Sequence, residues 1–250
     1  MAGLFGHIRL DGKASLQQTR TLTGAALDAL LSWRPRPGAA ITVSDASGAL
    51  YRARLIGVEE GRARLLVFEE AGALNKDPFR EIYLLQALPE KERMELIIQK
   101  TTELGVTHII PFGSKRSISL EQREARQGKS HRWQDIALNA ARQSRGFFIP
   151  VVLPYRTFED ALDTVKDAGF KIALWERPGI SGIKTVLRDK ALYDAEKIAI
   201  LSGPEGGLGE DEMDRAASCG FTAVSLGQRV LRAETAPIIA IGLLSYELEQ

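Results

Sequence analysis

Two segments of this sequence have residue types and spacing suited to chemistry. The first is Ser202-Gly-Pro-Glu-Gly-Gly-Leu-Gly209, between an apolar run and a helical pattern. Its four glycines, Gly203, Gly206, Gly207 and Gly209, would let a ligand approach the backbone closely. In an open α/β sheet, ligands bind beyond the carboxyl ends of the strands, which is where this loop would lie. A tight turn is the simpler alternative. The segment lacks the Lys-Ser/Thr of a P-loop and fails the pattern G-x-G-x-x-G. The helix after it opens with Glu210, Asp211 and Glu212, which suit a helix N-terminus but repel a polyphosphate. A ligand without phosphates, such as S-adenosylmethionine (SAM), fits better.

The second segment is Leu226-Gly-Gln-Arg-Val-Leu-Arg-Ala-Glu-Thr-Ala-Pro237. It also joins a strand pattern to a helix pattern. Part of it reads as a helix start, with Thr235 as N-cap and Pro237 just inside. Capping does not account for Arg229 and Arg232, clustered near Glu234 beside an apolar strand.

Composition narrows the classes. The single cysteine, Cys219, excludes an internal disulfide and a Cys-rich zinc site. The histidines, His7, His108 and His131, are scattered, so no metal site is expected. The apolar runs fall short of the roughly 20 residues that span a bilayer. The opening MAGLFGHIRL has no signal-peptide pattern, so a cytoplasmic protein without membrane attachment is expected. The net charge is only +1, but it is segregated. Between Ser114 and Phe147, eight bases (Lys115, Arg116, Arg123, Arg126, Lys129, Arg132, Arg142, Arg145) face three acids (Glu121, Glu124, Asp135). From Arg156 to Gln250 there are eleven bases and sixteen acids. A local basic surface can hold nucleic-acid phosphates on a nearly neutral protein. A solvated helix face is the alternative reading of the same charges.

Two regimes of periodicity position these segments. Residues 1–74 read as short strands at 4–10, 40–44, 50–57 and 64–68, with one helix at 22–33, which suits a small barrel-like domain. A linker is expected at 72–78. Residues 75–250 alternate strand and helix. Strands are expected at 82–88, 108–112, 149–153, 171–175, 197–202 and 222–226. The helix after Pro89 carries Met94, Ile97, Ile98, Thr101 and Leu104 on one face, and Gly105 ends it. Another carries Trp133, Ile136, Ala137, Ala140, Ala141 and Ser144. Further helices are expected at 158–168, 210–219 and 237–248. Such alternation implies a mainly parallel sheet with helices on both faces.

GPEGGLGEDE followed by LGQRVLRAET resembles the RsmE family, the 16S ribosomal RNA uridine-N3 methyltransferases of the SPOUT class. Further likeness lies in Glu92–Val106, in Arg116-Ser117, in Trp133–Ala137 with Gln143-Ser144, and more weakly in Arg34–Tyr51. The chain departs from the family pattern at Arg142, where an acid usually precedes Gln-Ser, and at Ala39, where Asp usually follows Gly.

The resemblance implies an α/β SPOUT domain with a C-terminal trefoil knot over 75–250, preceded by a PUA-like β-barrel over 1–74 that holds RNA. It implies SAM as cofactor, 16S ribosomal RNA of the small subunit as partner, and a homodimer, with 238–244 as a candidate interface. Leu174, Trp175, Glu176, Gly203, Glu205, Gly206, Gly207, Leu226, Gly227, Val230 and Leu231 would line the cofactor pocket. Arg232 and Glu234 are the catalytic candidates. An arginine stays protonated, so Arg232 would stabilise a uridine anion or grip a phosphate rather than act as base. Glu234 would be a base or orient Arg232. Arg9, Arg116, Arg132, Arg142, Arg145 and Arg229 are the RNA-binding candidates. Alternatives are methylation of a ribose 2′-oxygen or another base, or a non-catalytic ribosome assembly factor.

Overall fold

The computed structural model describes residues 4–73, 80–89, 93–122, 132–177 and 179–248. The chain forms two compact units, Met1–Phe79 with Leu138–Pro150, and Arg80–Ala137 with Val151–Gln250. The expected 74/75 boundary and most of the expected linker lie outside the described residues. Nothing in the local pattern indicates that 138–150 groups with the first unit.

The first unit contains β1 (Thr19–Leu22), α1 (Gly24–Ser32), β2 (Ala40–Ser44), β3 (Ala49–Glu59) and β4 (Arg62–Ala73). They form an antiparallel sheet in the order β1-β4-β3-β2. In β3, buried Tyr51, Ala53 and Leu55 alternate with more exposed Arg52, Arg54 and Ile56. That period of two lays one face on the core and leaves arginines on the other. The core joins Ile8, Leu10, Leu30, Trp33, Val43 and Leu65 to Leu138, Ala141 and Ile149. The strand expected at 4–10 is not formed. Ile8 and Leu10 are buried as the alternation required. Their backbone, however, meets β2 only at the bridge between Arg9 and Ser44. The left-handed turn at Gly6 (φ 76°) stops an approach to β2 from running further back. β1 was not expected; its polar Thr-Arg-Thr run hides the pairing of Arg20 with Leu65.

The second unit runs β5 (Glu81–Ala87), α2 (Arg93–Glu103), β6 (His108–Gly113), α3 (Trp133–Gln143), β7 (Val151–Val152), β8 (Arg156–Thr157), α4 (Phe158–Thr164) and β9 (Phe170–Leu174). It continues through α5 (Ile183–Leu187), α6 (Lys190–Asp194), β10 (Lys197–Ser202), α7 (Glu210–Ser218), β11 (Thr222–Val224) and α8 (Thr235–Leu248). From Leu138 onward, α3 groups with the first unit. Among the described residues the sheet has the order β11-β9-β10-β5-β6-β7, with β8 also on β6. Every pairing in it is parallel.

Its central strands are buried on both faces, the usual state of a parallel sheet. In β10, Ile198 and Ile200 join Ile97, Ile98, Ile241 and Leu244 on one side. Ala199 and Leu201 join Leu162, Met213 and Ala216 on the other. Three expectations need correction. The strand at 149–153 contracts to two residues, because Ile149 turns back into the first core. The helix at 158–168 ends at Thr164, with Val165 as its C-cap. Thr235 is the first helical residue rather than the N-cap, its N–H donating to the Arg232 carbonyl at 2.9 Å. Pro237 still sits in the first turn, where a missing N–H is harmless. The short helices α5 and α6 and the strand β8 are too brief to show a period in the sequence.

β9, β10 and β11 are neighbours, with Leu201 level with Ala173 and Leu174 level with Val224. The segments that leave their carboxyl ends therefore start side by side.

Candidate active site

Those three segments enclose a cavity of about 240 Å³ at the carboxyl edge of the sheet. Leu174, Trp175 and Glu176 reach it from the end of β9. Gly203, Glu205, Gly206 and Gly207 line it from the loop after β10. Leu226, Gly227, Val230 and Leu231 do so from the bend after β11, together with Arg229 and Arg232. Arg116, from the segment after β6, closes another part of the wall.

The glycine loop has its shape for local reasons. A Cβ on Gly203 would stand 3.0 Å from the Leu208 nitrogen and 3.1 Å from the Gly207 carbonyl carbon, so the loop folds back tightly only on a residue without one. Gly207 has φ +66° and open space where its side chain would be. Backbone is thus offered directly to the cavity. Two buried polar residues brace the loop. Gln86, at the end of β5, donates to the Gly203 carbonyl at 3.2 Å. Glu212, in the first turn of α7, accepts from the Gly209 N–H at 2.8 Å and from the Lys115 N–H at 3.0 Å. That second bond fixes the segment bearing Arg116, whose guanidinium donates to the Gly206 carbonyl at 2.7 Å.

The cavity wall carries both signs, Arg116, Arg177, Arg229 and Arg232 beside Glu176 and Glu205, which suits a ligand with charges of both signs and apolar parts. Glu176 and Glu205 line the cavity, and the first turn of α7 adds Glu210, Asp211 and Glu212 nearby in sequence. Arg177 pairs with Glu210 at 2.7 Å and lies over the Trp175 ring, 5.3 Å from its centroid. Val230, 81% exposed, adds an apolar side chain to the cavity lining. SAM combines a sulfonium and an ammonium with an adenine, and the residues present fit it.

Glu234 does not line the cavity. It sits one step behind, its carboxylate 3.5 Å from Arg93 Nε. Arg93 Nη1 in turn meets Glu205 at 2.8 Å. Arg93 therefore ties the arginine-bearing bend to the glycine loop. It lies in the Glu92–Val106 segment, where nothing local marks its partners. Sequence reasoning misses Gln86, Arg93 and the reach of Glu212 to Lys115, whose partners lie far away in the chain; the Glu212 bond to the Gly209 N–H is a local capping contact.

The remaining basic candidates separate. Arg132 is exposed immediately before α3, and Arg9 is exposed beside β2. Arg142 and Arg145 line a second cavity, of about 340 Å³, inside the first unit, with Arg34, Arg36 and Arg52. Ala39 lines it too, so both departures from the family pattern fall there. Among the described residues no group of His, Cys, Asp and Glu is placed to hold a metal. None of the described helices is long and apolar enough to cross a membrane.

Loops converging on a glycine-lined cavity above a parallel sheet are common to many transferases, and comparison narrows the class. Residues 75–245 match the family model of an RNA methyltransferase domain. The chain is 31% identical to the ribosomal RNA small subunit methyltransferase E of Bacillus subtilis over 237 residues, covering 92% of this chain and 91% of that protein. The Synechocystis protein of the same name is 34% identical over 236 residues, with 94% and 75% covered. A crystal structure of that enzyme from Neisseria gonorrhoeae bound to SAM superposes with a TM-score of 0.63 at 33% identity, covering 96% of this chain and 97% of the other. The chain belongs to the ribosomal RNA small subunit methyltransferase E family.

Proposed function

We propose that this protein transfers the methyl group of SAM to N3 of a uridine in 16S ribosomal RNA of the small subunit, in the cytoplasm. The observation that carries the reading is the meeting of the glycine loop after β10 with the arginine-bearing bend after β11 around one cavity. The relatives named above and the SAM-bound Neisseria structure support it. When bound, SAM supplies an electrophilic methyl group on sulfur.

The protein's own residues do the rest. Leu174, Trp175, Leu226, Val230 and Leu231 give apolar contact to the cofactor, and Glu176 and Glu205 suit its positive charge. The backbone of Gly203, Gly206, Gly207 and Gly227 lets it sit close. The N3–H proton passes to solvent, and Arg232, exposed on the cavity wall, stabilises the uracil anion that attacks the methyl group as the methyl–sulfur bond breaks. Alignment of nitrogen, carbon and sulfur then contributes much of the rate. The nucleotide leaves its stack to reach this depth. Glu234 acts through position, holding Arg93 and through it Glu205. Arg116 and Arg229, on the same wall, take RNA phosphates, and exposed Arg132 and Arg9 are further RNA contacts.

The reading extends to architecture. The bends after β9, β10 and β11 form a trefoil knot, and the first unit is a PUA-like barrel that grips RNA. The protein acts as a homodimer through α8. That helix buries Ala240, Ile241 and Leu244 while leaving Ile239 and Leu243 each 38% exposed and Tyr246 66% exposed. The test is incubation of purified unmethylated small subunits with labelled SAM, followed by nucleoside analysis. Label in N3-methyluridine is expected; label in a 2′-O-methyl nucleoside, or none, overturns the assignment.

A further inference from the structure

The segment that leaves β9 is fixed on both sides of Arg177. Before it, the Trp175 N–H donates to the Val224 carbonyl at 2.9 Å. After it, the chain meets the end of β11 again. There the Ser225 N–H donates to the Ser181 carbonyl at 2.9 Å, and the Ile183 N–H to the Ser225 carbonyl at 2.8 Å. Arg177 therefore rises from a short, tethered stretch of backbone. Its guanidinium lies over the Trp175 ring, 5.3 Å from the centroid. Its Nη2 donates to the Glu210 carboxylate at 2.7 Å. Glu210 opens α7, directly after the glycine loop. One side chain thus joins the wall that follows β9 to the end of the loop that follows β10.

The two contacts have different physical weight. The side chains of Arg177 and Glu210 are 49% and 70% exposed, so the ion pair by itself adds little stability. Its effect is directional, because it fixes where the guanidinium lies. A planar guanidinium is attracted to the face of an indole and stacks on it in a way an ammonium does not. Trp175 is the only aromatic residue in the described lining of the cavity. It packs in part against the core that contains Leu201 and Met213. Arg177 adds a second contact, which limits how far the ring can turn. The adenine is the one flat, largely apolar surface of SAM, and a base gains from contact with an aromatic side chain.

We infer that Arg177 is a positioning residue for cofactor binding: it sets the Trp175 indole in the cavity wall as the surface for the adenine, and Glu210 holds Arg177 in place. The inference rests on SAM occupying this cavity. The competing role is direct capture of the cofactor's carboxylate by Arg177. The two differ in which half of the cofactor feels the loss of the guanidinium. A positioned indole matters to the nucleoside half, whereas a captured carboxylate matters only to the amino-acid tail.

The test uses the full chain and two probes, SAM and methylthioadenosine, which keeps the adenosine but lacks the amino-acid tail. Arg177→Ala should weaken both by a similar factor, roughly twofold to fivefold by calorimetry. Melting temperature should stay near wild type, since the side chain is half-exposed. Without ligand, acrylamide should quench the variant's tryptophan fluorescence more strongly. Trp33 and Trp133 are 3% and 7% exposed, so that change reports on Trp175. Glu210→Gln should shift both readouts the same way by less. The double variant should lose no more than Arg177→Ala alone, because Glu210 acts through Arg177. Unchanged quenching and affinity in Arg177→Ala overturn the inference, and additive losses in the double variant break its link to Glu210. A loss confined to SAM overturns it in favour of carboxylate capture. So does wild-type protein that binds SAM but not methylthioadenosine. Failure of the wild type to bind SAM at all would instead remove the cofactor reading, with quenching still reporting on the contact between Arg177 and Trp175.

Discussion

At the scale of the residue, the proposed methyl-transfer cavity depends on a few charged side chains whose duties differ. Arg232 lies on the cavity wall, while Glu234 stands behind it, paired with Arg93. Arg232→Ala should therefore reduce methyl transfer by about two orders of magnitude or more, the usual loss when a group facing developing negative charge is removed. SAM affinity and melting temperature should stay near wild type; near-normal single-turnover rates would discard this role. Arg93→Gln should act differently. It removes the Arg93 contact from both Glu205 and Glu234, so SAM binding, read by calorimetry, should weaken roughly threefold to fivefold, as befits a half-exposed ion-pair network worth ~1 kcal/mol. An unchanged dissociation constant would show that the two segments hold their places without Arg93. The glycines and Arg232 could be picked out from type and spacing. Arg93, Gln86 and the contact of Glu212 with Lys115 could not, since a lone arginine, glutamine or glutamate in a helix or strand carries no local mark of a distant partner.

At the scale of the element, turns and helix faces decide the outcome. The turn between β2 and β3 is built on Asp45, which is only 2% exposed. It accepts from the Ser47 N–H and hydroxyl and from the N–H groups of Ala14 and Ala49. Burial alone would raise its carboxyl; the hydrogen bonds outweigh that and hold it below the ordinary carboxylate range. A depressed folded pKa means that its contribution is fully present above pH about 4 and is lost as pH falls through the lower folded value. Asp45→Ala should cost about 3 kcal/mol near neutrality. The gap from wild type in urea titrations should narrow below pH 4, and a pH-independent gap would refute the account. α8 offers the second element-level prediction. Under the proposed homodimer, Leu243→Asp places a charge on the face left open beside Ile239 and Tyr246, so it should weaken self-association by about 2 kcal/mol or more without unfolding the chain. Sedimentation of the variant and the wild type decides this, and an unaltered dimer would move the interface elsewhere. Long periodic elements were legible: β10 has the expected bounds and α2 buries the expected Met94, Ile97, Ile98 and Thr101. The segment 4–10 shows the opposite case, where alternation correctly foretold burial but could not supply a neighbouring ladder.

At the scale of the whole molecule, the first unit is not a simple N-terminal stretch. Its core needs Leu138, Ala141 and Ile149, and its Thr42 hydroxyl needs the Arg145 carbonyl. Residues 1–79 expressed alone should lack a cooperative thermal transition, whereas a mixture supplied with a peptide of 138–150 should regain part of it. A sharp transition from the short fragment by itself would contradict this. The sequence by itself determined the repeating strand and helix pattern, the two chemically loaded loops and the family resemblance, because each is written in neighbouring residues through hydrophobic period, turn chemistry and motif order. Only tertiary structure decided that 138–150 completes the first unit, that Arg93 bridges the two loops, and that five arginines from separated segments share a cavity without an acid in its described lining. Those outcomes turn on distances between residues far apart in the chain. Such distances are set by how whole faces pack, and no local pattern carries them.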